Sequence, residues 1–127
     1  MSPHQKLLIT PPGQPLGNEV ENRLRAGLDA CPDLAFAHLV DVEVCEQGEG
    51  PGMVLFVWLE PTAMRSMRAA LDLVSEIVAK ALPGDRFLDV VILNSAPELL
   101  ADVERAGCLF AEPHPVERQR ALAALDG

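Results

Sequence analysis

The sequence predicts an α+β fold: elements in the order βαββαβ, building a mainly antiparallel sheet with two principal helices on one face and short helices toward the C-terminal end. Three observations carry this reading. Two stretches repeat apolar residues at helical spacing, four have the length and composition of strands, and clusters of proline and glycine separate them.

Lys6-Leu7-Leu8-Ile9-Thr10 forms the first strand, stopped by Pro11-Pro12-Gly13-Gln14-Pro15, where fixed φ angles and missing amide donors end a hydrogen-bond ladder. From Leu16, apolar Val20, Leu24 and Leu28 recur every four residues among Glu19, Glu21, Arg23 and Arg25. That pattern makes a helix with one buried stripe, ending near Pro32. Leu34 to Cys45 is a strand that alternates in its second half, with Val40, Val42 and Val44 on one side and Asp41 and Glu43 on the other. Gln47-Gly48-Glu49-Gly50-Pro51-Gly52 supplies turn chemistry for a hairpin, and Met53 to Leu59 follows as a strand apolar on both faces.

Pro61 and Thr62 open the second helix, whose Met64, Met67, Leu71, Val74, Val78 and Leu82 keep helical spacing up to Pro83-Gly84. Phe87 to Leu93 is the fourth strand, Pro97 to Ala106 a shorter helix stopped by Gly107, and Cys108-Leu109-Phe110 a brief last strand. Val116 to Leu125 is helix-prone but poor in apolar residues, so this tail (residues 111–127) is expected to dock loosely or to fray. No repeat or linker divides the chain, which reads as one domain with its core over about residues 6–110.

This element order is that of the split-βαβ, ferredoxin-like arrangement, in which two helices cover one face of the sheet. The consequence lies on the other face. A third strand apolar on both sides leaves either Leu55, Val57 and Leu59 or Val54, Phe56 and Trp58 uncovered, and a patch of that size does not stay wet. The C-terminal segments, a second copy or another protein must cover it.

A chain of 127 residues falls in the one-domain range of roughly 100–200. Hydrophobic residues at 49% and charged residues at 23% exclude disorder by composition. A net charge of -9 disfavours nucleic acid, whose binding needs clustered Lys and Arg, and fits either a solvated acidic exterior or a basic protein partner. The apolar run of Met53 to Leu59 is far short of the roughly 20 residues a membrane helix requires, and prolines interrupt Leu7-Leu8-Ile9 before any signal-peptide pattern forms. Cys31, Cys45 and Cys108 are odd in number and widely spaced, as expected of buried thiols in a reducing cytoplasm.

Few residues carry recognisable chemistry. His4, His38 and His114 lack metal-ligand spacing, so neither a metal nor another cofactor is expected. Ser66, Ser75 and Ser95 lie outside any Gly-x-Ser-x-Gly elbow, and Gly13-Gln14-Pro15-Leu16-Gly17 lacks the Lys and Ser/Thr of a phosphate loop. His38 with Asp41, Glu43 or Asp89 is the one acid–base combination to weigh against ordinary strand-surface polar residues. Trp58 is the sole tryptophan and reads as core, or as an interface anchor if it points to the uncovered face.

Leu7-Leu8-Ile9 leading into a Pro/Gly stretch, a helix ending at Cys31-Pro32-Asp33, Ala35-Phe36-Ala37-His38-Leu39 and Phe87-Leu88-Asp89-Val90-Val91 together resemble the C-terminal domain of the SseB (enhanced serine sensitivity) family. The likeness spans about Lys6 to Phe110 and consists of fold positions rather than catalytic signatures. It departs from the family pattern in two ways: the domain that normally precedes this one is absent, and the Pro-Phe-Tyr-like ending appears as Leu109-Phe110-Ala111. The resemblance implies a stand-alone, diverged bacterial cytoplasmic protein, non-enzymatic, with no family active site to carry over.

The expectation is therefore a protein-binding module, with a protein or a second copy as partner, acting through the sheet face opposite the two main helices. Leu39, Asp41, Glu43 and Trp58 mark that surface. A secretion chaperone or an immunity-type protein is a variant of the same reading. The competing classes are a small enzyme built on His38 and nearby carboxylates, and a sensor that needs an apolar pocket with convergent polar groups.

Overall fold

The computed structural model describes residues 7–44, 52–84, 86 and 88–126. The expectations for His4, Lys6, Cys45, turn residues 47–51 and Phe87 lie outside the described residues. Five strands, β1 (Leu7–Thr10), β2 (Leu34–Val44), β3 (Gly52–Leu59), β4 (Asp89–Ile92) and β5 (Leu109–Ala111), form one sheet. The helices are α1 (Asn18–Asp29), α2 (Met67–Ala81), α3 (Leu100–Arg105) and α4 (Pro115–Asp126). Prolines open two tighter 3-10 turns, Pro61–Ser66 ahead of α2 and Pro97–Leu99 ahead of α3, where a missing amide donor costs nothing.

The sheet order is β1-β2-β3-β4, antiparallel except for the parallel β3–β4 pair that α2 bridges. The split arrangement would set β1 between β3 and β4, and here β1 stands at the sheet edge instead. The cause is the length of β2. Its eleven residues offer one free edge to two partners, β1 opposite Asp41 to Val44 and β5 opposite Ala37 and His38. The Leu39 amide donates to the Cys108 carbonyl at 3.2 Å, so the start of β5 meets β2 just short of the end of β1.

Both faces of the sheet are packed. On one, Leu39, Leu55, Val57 and Leu59 meet Leu24 and Leu28 of α1 and Ala70, Val74 and Val78 of α2. The two helices approach closely at Gly27, where an added Cβ would stand 2.7 Å from Cγ2 of Ile77. On the other, Phe36, Val40, Val54 and Phe56 pack with Leu93, with Leu100 and Val103 of α3, and with Ala121 of α4. The doubly apolar third strand is thus covered by the chain's own C-terminal segments, and the face expected to be available to a partner is occupied. The tail, expected to dock loosely or fray, is a helix lying on that face. No helix among the described residues is long and apolar enough to cross a membrane.

Candidate functional site

Two constellations stand out, one at the sheet edge and one beneath α4. At the edge, the Gly13 amide donates to Oδ2 of Asp41 at 2.9 Å, drawing the proline-rich segment against β2. Arg25 of α1 donates its Nε–H to the Phe110 carbonyl at 2.9 Å and lays its guanidinium 4.4 Å from the centre of the Phe110 ring, a cation–π contact. These bonds fix the proline segment, α1 and β5 around an open notch of about 280 Å³. Its wall is apolar, formed by Pro12, Pro15, Leu39, Leu109 and Phe110, with Glu21 as the one carboxylate among the described residues that line it. Leu109 is 39% exposed there.

Size limits what the notch can hold. Pockets for drug-sized ligands run from about 300 to 1,000 Å³ and enclose most of the ligand. An open hollow below that range suits a single apolar side chain.

Beneath α4, Trp58, Phe36 and His38 form a row on the second sheet face. Phe36 stacks on Trp58 at 5.8 Å between ring centres and meets the His38 ring edge-on at 5.6 Å. His38 is 1% exposed, and its Nε2 lies 2.9 Å from Oε2 of Glu104 on α3. Arg118 of α4 grips the same carboxylate with both arms, Nη2 to Oε1 at 2.6 Å and Nε to Oε2 at 3.1 Å. Its Nη1 donates to Glu112 at 3.0 Å.

Burial lowers the His38 pKa, against the raising effect of Glu104, and so holds the imidazole neutral. Burial pushes Glu104 upward, but the hydrogen bonds from Arg118 and His38 and the charge of Arg118 outweigh it and keep the carboxyl below its ordinary range. A neutral His38 therefore donates its Nε2–H to ionised Glu104. Its Nδ1 is enclosed and has no partner among the described residues. This arrangement fastens α3 and α4 to the sheet.

At the other end of the row, nearly buried Glu117 accepts the Trp58 indole N–H at 3.2 Å and pairs with Arg120 at 3.3 Å. The His114 amide donates to the Ala35 carbonyl at 3.0 Å, pinning the turn before α4.

The structure separates the residues expected to share a surface. Leu39 is 4% exposed, on the α1/α2 face, where it lines the notch. Asp41 and Glu43 follow it on the same side of β2, paired across from Thr10 and Leu8. Trp58 lies on the opposite face, half-buried beside α4. His38 also points to that opposite face, away from Asp41 and Glu43, while Asp89 sits exposed on β4 two strands away. The acid–base group does not assemble, because strand alternation sends Asp41 and Glu43 to the face opposite His38 and the intervening β3 separates His38 from Asp89.

The carboxylate that His38 does meet, Glu104, was not singled out in the sequence, nor were Glu112, Glu117 and Arg118. Their only sequence signal is indirect: a histidine between apolar Ala37 and Leu39 in a covered strand needs a buried partner. Burial raises the thiol pKa of both Cys31 and Cys108, so neither is activated. Among the described residues no three His, Cys, Asp or Glu side chains converge as a metal site. Compared with known protein families, with curated proteins and with solved structures, the chain matches none.

Proposed function

We propose that this protein is a non-enzymatic protein-binding module that recognises a basic segment of a partner by taking one of its apolar side chains into the edge notch. The observation that carries the reading is the notch itself: an apolar wall of two prolines, Leu109 and Phe110, open to solvent and bounded by Glu21. Asp41 and Glu43 extend the acidic border along β2, and the chain as a whole carries a charge of -9. Acidic borders of this kind speed encounter with a cationic partner and orient it, while the buried apolar anchor supplies affinity. The SseB-like resemblance of about residues 6–110 fits the non-enzymatic part of this reading, and the small size of the notch fits a single side chain as its occupant.

A phage-displayed peptide library selected on the full chain tests this. Enriched peptides are expected to place Leu, Met or Phe beside Lys or Arg, and to lose binding to Leu109→Glu, which puts a charge into the apolar wall. Because Leu109 is already partly exposed, that variant should fold as the parent does. Enrichment of peptides that bind Leu109→Glu equally well would sink the proposal. So would a selection yielding no cationic apolar motif.

A further inference from the structure

α4 is attached to the protein unlike the other helices. α1 buries Leu24 and Leu28, α2 buries Val74 and Val78, and even the short α3 buries Leu100 and Val103. Among the described residues of α4, the one buried apolar side chain is the methyl of Ala121, while Val116 is 69% exposed. What holds α4 is polar: Arg118 on Glu104 and Glu112, Glu117 on Trp58, and the His114 amide on Ala35. The surface under it is the reverse, an aromatic row of Trp58 and Phe36 within an apolar cluster. Over this apolar cluster α4 fully buries one methyl and half-buries Leu122, and charge latches it.

We infer that the seat of α4 is a second interaction surface, which accepts an amphipathic basic helix of a partner protein in place of α4. The seat states the chemistry of its occupant. An Arg or Lys must stand where Arg118 does, because Glu104 and Glu112 lose their cation when α4 lifts. Three residues on, at the Ala121 position and on the same helix face, the occupant presents an apolar side chain to the cluster that holds Phe36 and Trp58. α4 is joined to β5 only through Glu112-Pro113-His114, so it can leave without unpairing the strand. The inference is independent of the edge notch.

The probe is a fluorescein-labelled peptide of residues 112–126, titrated into the full chain. Arg118→Gln in the protein unlatches α4 and raises the fraction of open seats, so that variant should bind the peptide about 10-fold more tightly than the parent does. The same peptide with Arg118→Glu should bind neither protein. Amide exchange gives an independent readout, with α4 expected to exchange about 100-fold faster than β2 and β3. Should Arg118→Gln fail to fold, Glu117→Ala replaces it, since it removes the bond of α4 to Trp58 while leaving Glu104 and Glu112 of the seat in place. Equal peptide affinity of parent and variant, or exchange of α4 only as slow as that of β2 and β3, overturns the inference. Dimerisation of the unlatched variant without peptide binding also overturns it, by making a second copy the occupant.

Discussion

Replacing Glu104 by Gln tests the fastening beneath α4 most directly, because three hydrogen bonds converge on that one carboxylate, at 2.6, 2.9 and 3.1 Å. Glutamine keeps the size but offers one oxygen to a histidine and an arginine that both donate, and its NH₂ faces one of them donor to donor. If His38 switches tautomer to accept from the amide, its Nδ1–H becomes a buried donor without a partner. Removing one member of a fully buried ion pair costs about 3–5 kcal/mol. Arg118 retains Glu112 and is 25% exposed, so the loss at neutral pH should be about 2–3 kcal/mol.

The pH dependence has a definite sign. The folded pKa of His38 is lowered, so the unfolded chain takes up the proton first, and stability declines as pH falls below about 6.5 toward the folded value. Glu104 is lowered too, and its contribution is complete above about 4.3 and lost as pH falls through its folded value. The glutamine variant lacks the second loss, so the gap between the two proteins should narrow below about pH 4.3. Urea unfolding followed by Trp58 fluorescence between about pH 8 and pH 3 reads both effects. A neutral-pH difference under about 0.5 kcal/mol, or a gap that stays constant into acid, would refute the assignment of Glu104 as the ionised hub of the cluster.

Asn94 offers a second test, since its Oδ1 accepts the Leu59 amide at 2.8 Å and its Nδ2 donates to the Leu59 carbonyl at 3.2 Å, finishing β3 as a strand would. Asn94→Ala should cost about 2–3 kcal/mol in chemical denaturation, because two enclosed backbone groups lose their partner. Gly107 ends α3 at φ +71° with open space around it, so Gly107→Ala should cost about 1 kcal/mol from backbone strain alone, and Gly107→Asn less, by melting temperature. Glu117→Ala removes the acceptor of the Trp58 indole N–H, which should lower stability by about 1 kcal/mol and shift the Trp58 emission maximum, a change that Arg120→Ala should not reproduce.

The elements were legible in the sequence because each rests on a local pattern. Helical spacing from Val20 to Leu28 and from Met67 to Val78 places α1 and α2, and the proline clusters set their starts. Even the three-residue β5 follows from an apolar run just after a helix-stopping glycine, shifted by one residue. Strand order was not legible. Whether β1 pairs with β2 or inserts between β3 and β4 depends on which edge is free once the helices pack, and no stretch of sequence records that. The edge notch was not legible: Leu39 was expected on the face opposite the helices, and Pro12 and Phe110 reach the notch only because β1 and β5 share one edge of β2. The cluster under α4 was invisible for the same reason: His38, Glu104 and Arg118 come from a strand and two helices, so no spacing rule joins them.

The third strand explains why a polar cluster exists there at all. A strand apolar on both sides demands two covers, and α1 with α2 supplies the first by ordinary burial of leucine and valine. The second must come from what remains after β4, a stretch broken by Pro97, Gly107, Pro113 and Pro115 into a one-and-a-half-turn helix, a three-residue strand and a final helix. Of these pieces α4, among its described residues, fully buries only one apolar side chain, Ala121, too little to stay down on apolar area alone. The bonds from Glu104 to His38 and Arg118, and from Glu117 to Trp58, supply the orientation that area does not. Charged contacts of that kind can be exchanged for those of another helix more readily than interlocked leucines can, so the closure over β3 that completes this fold is also the part of it most open to a competitor.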